Sequence, residues 1–128
     1  MDRRTFMTTG AWLSAAGLSL PWMARAVRSR DTIAVVDTGL ARGRAFVDYV
    51  KRLEMPVFDI GDDVGVLWYA TLAPRLAATP GLLLGVTRAS DYFVLEQLAL
   101  NSGRMLRHKH EQGTGLSAPV AFLIGPAR

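Results

Sequence analysis

Cysteine is absent from all 128 residues. Structural disulfides, thiolate-held iron–sulfur clusters and covalently attached c-type haem are therefore excluded. Histidine is scarce as well, the chain having 2, at His108 and His110. Zinc and copper sites need about three or four ligands, so this pair falls short of a metal centre. No apolar run reaches the roughly 20 residues of a stable membrane-spanning helix. The best candidate, from about Gly10 to Met23, is diluted by Gly10, Ser14, Gly17 and Ser19 and broken by Pro21. The usual catalytic and nucleotide signatures are missing too: no G-x-S-x-G elbow, no G-x-G-x-x-G fingerprint and no phosphate loop ending in G-K-[ST] occurs. No metal and no cofactor is expected.

Strong charge of one sign is also lacking. The formal balance is +4, from 15 Lys+Arg and 11 Asp+Glu. Arg3, Arg4, Arg25 and Asp2 fall in the first 26 residues, which leaves 12 basic and 10 acidic side chains, a balance of +2, for the remainder. Binding to nucleic acid or to an anionic membrane needs clustered cations, and these are scattered. Half of the residues, 50%, are hydrophobic, enough for an ordered core in one small domain.

What is present starts at the N-terminus. Asp2-Arg3-Arg4-Thr5-Phe6-Met7 forms a short charged start, a weakly apolar run follows, and Ala24-Arg25-Ala26 puts small residues at the two positions a signal peptidase reads. The segment resembles a twin-arginine (Tat) signal peptide: Arg3, Arg4 and Phe6 match that motif, while Asp2, Met7 and Thr8 depart from it. The modest hydrophobicity of the run and the charge of Arg25 lean the same way. The resemblance implies engagement of the Tat translocase, export of a folded chain to a bacterial periplasm, and cleavage after Ala26. Residues 27–128 would then form a single α/β domain with no stable membrane span. Retention of residues 1–26 as an inner-membrane anchor is the alternative outcome.

Beyond that segment, strand and helix signals alternate. Thr32 to Asp37 is a β-branched run without polar alternation, as expected of a strand buried on both faces. Phe46, Tyr49, Val50 and Leu53 then recur at helical spacing opposite Arg44, Asp48, Lys51 and Arg52. Pro56 to Ile60 predicts a second strand, Gly61-Asp62-Asp63 a turn and helix cap, and Val64 to Leu76 a helix that Pro74 should kink. Leu82 to Thr87 predicts a third strand, Ser90 the cap of a helix from Asp91 to about Leu100, and Asn101-Ser102-Gly103 its stop. Met105 to Glu111 and Pro119 to Ile124 flank Gln112-Gly113-Thr114-Gly115 as a β-hairpin. The expected fold is a small three-layer α/β sandwich with a mostly parallel, flavodoxin-like sheet. Its expected strand order is 2-1-3-4, with the hairpin's last strand antiparallel at the edge.

Ligands of such sheets sit beyond the carboxyl ends of the strands. Candidate ligand-binding residues are therefore Asp37, Thr38, Gly39, Gly43, Asp59 and Thr87, with Asp62, Asp63 and Arg88 at the same ends. The turn from Asp37 to Gly43 can aim backbone N–H groups at an anion or simply cap a helix. Asp37 and Asp59 on neighbouring strands can share a cation or divide acid and base roles. His108 and His110 alternate with Arg107 and Lys109, a pattern suited to an edge strand kept soluble by charge. No catalytic residue is assigned.

Apolar residues exceed one stripe on the second and third helices, where Trp68, Tyr69, Tyr92 and Phe93 are the candidate partner surface. Three functions compete. The first is an exported accessory or binding subunit, associating with a larger cofactor-bearing periplasmic protein or with a second copy of itself. The second is a domain binding a small ligand or anion at Asp37 to Gly43 and Asp59. The third is a small hydrolase or transferase.

Overall fold

The computed structural model describes residues 20–126. In chain order the elements are α1 (Pro21–Ala26), β1 (Ile33–Val36), α2 (Ala41–Arg52), β2 (Val57–Asp59) and α3 (Val64–Leu67). A π-helical turn (Trp68–Leu72), α4 (Ala73–Ala78), β3 (Leu83–Arg88), α5 (Ala89–Asn101), β4 (Met105–Glu111) and β5 (Pro119–Gly125) follow. The fold is mixed α/β around a five-stranded sheet of order β2-β1-β3-β5-β4. Pairs β1–β2 and β1–β3 are parallel. Pairs β3–β5 and β4–β5 are antiparallel.

Strand periodicity sorts the core into two halves. Ile33 and Val35 of β1, Leu83 of β3 and Val120, Phe122 and Ile124 of β5 face one side, where Trp68, Leu72, Leu76, Tyr92, Leu95 and Ala99 cover them. Ala34, Val36, Leu84, Val86, Ala121 and Leu123 face the other side and meet Phe46 and Val50 of α2 and Met23 and Ala26 of α1. The chain runs one way from β1 to β2 and back across β1 to reach β3. Crossovers of one hand then require α2 and the α3–α4 helix to lie on opposite faces, where the two clusters have them.

The terminal hairpin corrects the expected order. β5 lies inside, between β3 and β4, and β4 takes the edge. Burial explains the inversion. Val120 to Ile124 is apolar on both faces and buried throughout, whereas Met105-Leu106-Arg107-His108-Lys109-His110-Glu111 is charged and largely exposed. The centre of the β3–β5 pair contains a close approach: Gly85 stands opposite Phe122, and a Cβ there would collide with the phenyl ring. Glycine gives the ring its space.

Two helix starts are informative. Asp63 caps α3, accepting from the N–H groups of Gly65 at 2.9 Å and Val66 at 3.1 Å. The last helix begins earlier than expected, with Arg88 rather than Ser90 at the cap position and no side-chain cap. Its first N–H groups, of Ala89 and Ser90, donate instead to the carbonyls of Ala118 (2.9 Å) and Leu116 (3.0 Å) in the hairpin loop. A tertiary contact has replaced the local cap. Pro74, which has no N–H to give to Ala70, is preceded by the π-helical turn, in which Ala73 donates five residues back to Trp68.

The packing also extends ahead of Val27. Met23 is fully buried against the sheet, Ala26 nearly so, and Leu20, Trp22 and Val27 lie against the same cluster. Ala24 and Ala26, read from the sequence as the cleavage signal, are turns of α1. Arg3, Arg4 and Phe6 lie outside the described residues. Among the described residues no helix is long and apolar enough to cross a membrane.

Candidate functional site

The strand order reverses between β1 and β3, because β1 is followed by β2 on one side and β3 lies on the other. Loops diverge above such a point and leave a crevice at the carboxyl ends. Here β1 leads into Asp37-Thr38-Gly39, β2 ends at Asp59 before Gly61 and Asp62, and β3 delivers Arg88 to the start of α5 with Ser90 and Asp91. These turns enclose an open cleft of about 460 Å³.

Asp37 is the buried anchor of the cleft, only 8% exposed. Its Oδ2 pairs with Arg88 Nε at 3.2 Å, and its Oδ1 accepts the Gly39 N–H at 2.8 Å. Asp59, paired in register with Val36 across the parallel strands, accepts the Thr38 hydroxyl at 2.8 Å and the Thr38 N–H at 3.4 Å. Arg44 of α2 closes the turn by donating to the Thr38 carbonyl at 2.9 Å. The N–H groups of Thr38 and Gly39 are thus directed at the carboxylates of Asp59 and Asp37, which takes them away from an incoming anion.

Asp91 adds a further acid in the first turn of α5. Burial raises its pKa above the ordinary carboxylate value, and the neighbouring Asp37 charge raises it further against the opposing pull of Arg88. With Asp37, Asp59, Asp62 and Asp91 set against Arg88, the lining is strongly electronegative. Such a surface attracts cations and repels phosphate or carboxylate groups. Among the described residues no group of three or more acidic or histidine side chains converges closely enough to hold a metal ion.

Of the candidate residues, Asp37, Thr38, Gly39 and Asp59 come together in the cleft. Gly43 and Thr87 do not. Gly43 lies on the buried side of α2, where a Cβ would strike the Asp37 carbonyl, so its small size seats the helix against the turn. Thr87 is fully buried and its hydroxyl donates to the Arg88 carbonyl at 3.1 Å, supporting the strand end from below. Ser90, Asp91 and the Arg88–Asp37 pair were not legible as site features. Locally they look like a helix start, and only the juxtaposition of β1 with β3 brings them to Asp37.

The four aromatic candidates for a partner surface divide. Trp68 and Tyr92 are core residues, 3% and 4% exposed, and are withdrawn from any interface. Burial, with the Glu96 carboxylate beside it, pushes the Tyr92 phenol well above its usual pKa. Tyr69 and Phe93 project into solvent at 68% and 63%. Val66 on the turn before Tyr69, and Val94 and Leu100 on α5, are exposed as well. On the opposite face of the sheet, His108 and His110 pair in register with Leu123 and Ala121 and share one side of β4. The Trp22 ring of α1 lies flat on the His108 imidazole, with centroids 5.0 Å apart and planes inclined by 6°.

The chain matches no protein-family model, no curated protein and no solved structure.

Proposed function

We propose that this chain is an exported binding protein: a three-layer, flavodoxin-like α/β domain, carried folded to the periplasm by the Tat translocase, that holds a small amine-bearing ligand between β1 and β3. The observation that carries the proposal is the coincidence of an acidic cleft with the strand-order reversal. Asp59, Asp62 and Asp91 offer acceptors to an ammonium group, while Asp37 and Arg88 hold each other in place at the base. The anion alternative is disfavoured, because the backbone donors it requires are engaged by Asp37 and Asp59.

A thermal-shift screen of amines, polyols and organic anions on the purified full chain tests this. A cationic ligand at about 100 times its dissociation constant stabilises the fold by about 2.7 kcal/mol. Asp62→Asn, at an exposed position of the cleft outside the Asp37–Thr38–Asp59 hydrogen bonds, should weaken that shift while leaving the unliganded melting temperature nearly unchanged. A screen that responds only to anions refutes the electrostatic argument. Export is tested separately by replacing Arg3 and Arg4 together with lysine, which should stop delivery to the periplasm.

A second role, as an accessory subunit of a larger periplasmic protein or as a homodimer, is favoured by one observation. Val66 and Tyr69 leave a shallow apolar groove on the outer face of the helix that covers the sheet, and Phe93 is exposed on the neighbouring α5. Tyr69→Ser with Phe93→Ser should dissolve any complex seen in sedimentation without lowering stability. An unchanged sedimentation profile in wild type and variant removes this role.

A further inference from the structure

We infer that α1 is a permanent part of the folded domain, and that any maturation cut lies ahead of Leu20 instead of after Ala26. The inference rests on the export proposal only for its biological setting; its structural content stands on residues 20–32. Ala24-Arg25-Ala26 has the small residues of a cleavage signal, yet the peptide bond that would be cut is tied at both of its polar atoms. The Ala26 carbonyl accepts the Thr32 hydroxyl at 2.9 Å and the Ser29 N–H at 3.0 Å. The Val27 N–H donates to the Met23 carbonyl at 3.1 Å. Ala26 itself is 2% exposed.

Proteases and other peptide-binding sites commonly take their substrate extended, hydrogen-bonding its backbone as an added strand. A bond held in a helix end must first be unwound. Here the cost is not local fraying, because Met23 is fully buried in the cluster formed by Ala34, Val36, Phe46, Leu84 and Leu123. Drawing α1 away from the sheet uncovers that cluster and strips Trp22 from His108 on the edge strand. Opening of this kind belongs with sub-global unfolding rather than with the mobility of a free terminus. A chain exported after folding would present this locked bond to a peptidase from the outset. The small size of Ala26 has a packing explanation, since it sits between the helix and the sheet.

The C-terminally tagged full chain, recovered from the periplasm, is examined by intact mass and N-terminal sequencing. The expected product contains residues 20–26. Ala24→Gln, which spoils the signal at a half-buried position, leaves the product's N-terminus and its amount unchanged, the mass rising only by the substitution itself. A product starting at Val27 overturns the inference. Should the protein stay inside the cell, the export proposal fails by itself, and hydrogen exchange on the purified full chain decides the structural point. The Val27 amide should be protected comparably to the amides of β1, and Thr32→Val, which keeps the shape and deletes the hydroxyl, should accelerate its exchange several-fold. Exchange of Val27 at the rate of an unstructured amide overturns the inference.

Discussion

At the scale of single residues, small groups decide where larger ones can go. Met23 fills the second half of the core from outside the expected domain boundary, and its truncation leaves a hole that the sheet cannot close. Met23→Ala should cost about 2–5 kcal/mol in urea unfolding of the full chain, the range of large-to-small core changes. A cost near zero would mean that α1 is dispensable. Asp91 gives a pH signature. Its raised pKa means that the folded chain holds this proton more tightly than the unfolded chain does. Stability therefore falls as pH rises from the ordinary carboxylate range through the raised value. Asp91→Asn should accordingly be the more stable protein at neutral pH, by at most about 0.5 kcal/mol for a group only partly buried, and the advantage should close as pH falls towards 4. Melting curves of both proteins across that range check the sign.

At the scale of elements, the strand positions were legible because β-branched and apolar runs bounded by glycine and proline leave little choice. Ile33–Val36, Leu83–Arg88 and both arms of the hairpin lie where the residues indicate. Pairing order was less legible, since it depends on which strand can bear solvent. The charges from Arg107 to Glu111 carried that information for β4, and the unbroken apolar run of β5 carried its complement. Ser90 misled because cap chemistry is local, whereas the helix starts earlier, at Ala89, with the N–H groups of Ala89 and Ser90 met by the Ala118 and Leu116 carbonyls. Trp68 and Tyr92 misled because helical spacing does not say which of two adjacent aromatics turns inward. The cleft was half legible: Asp37, Thr38, Gly39 and Asp59 follow from strand ends, while Asp91 and the partner of Arg88 depend on tertiary neighbours. The β3–β5 pair offers its own test. Gly85→Ala should destabilise the domain by about 1–3 kcal/mol through overpacking against Phe122, and Phe122→Leu in the same chain should recover part of that loss. Additive losses in the double variant would show that the ring is not the obstacle.

At the scale of the whole molecule, a sheet parallel at one end and antiparallel at the other is covered by helices on both faces, with one acidic opening at its reversal point. The two outer features, the cleft and the aromatic side chains at Tyr69 and Phe93, share α5 but no residue, so separate substitutions address each. The inside position of β5 has a consequence for biosynthesis. It is the last of the five strands to leave the ribosome, yet it is the strand that joins β3 to β4 in the sheet. Nascent chains lacking it hold a split sheet, so a chain stopped at Ala118 should show no cooperative melting. Compaction of this domain is thus delayed until the keystone strand is free to slot in, and any transport step that demands a finished fold must wait for it.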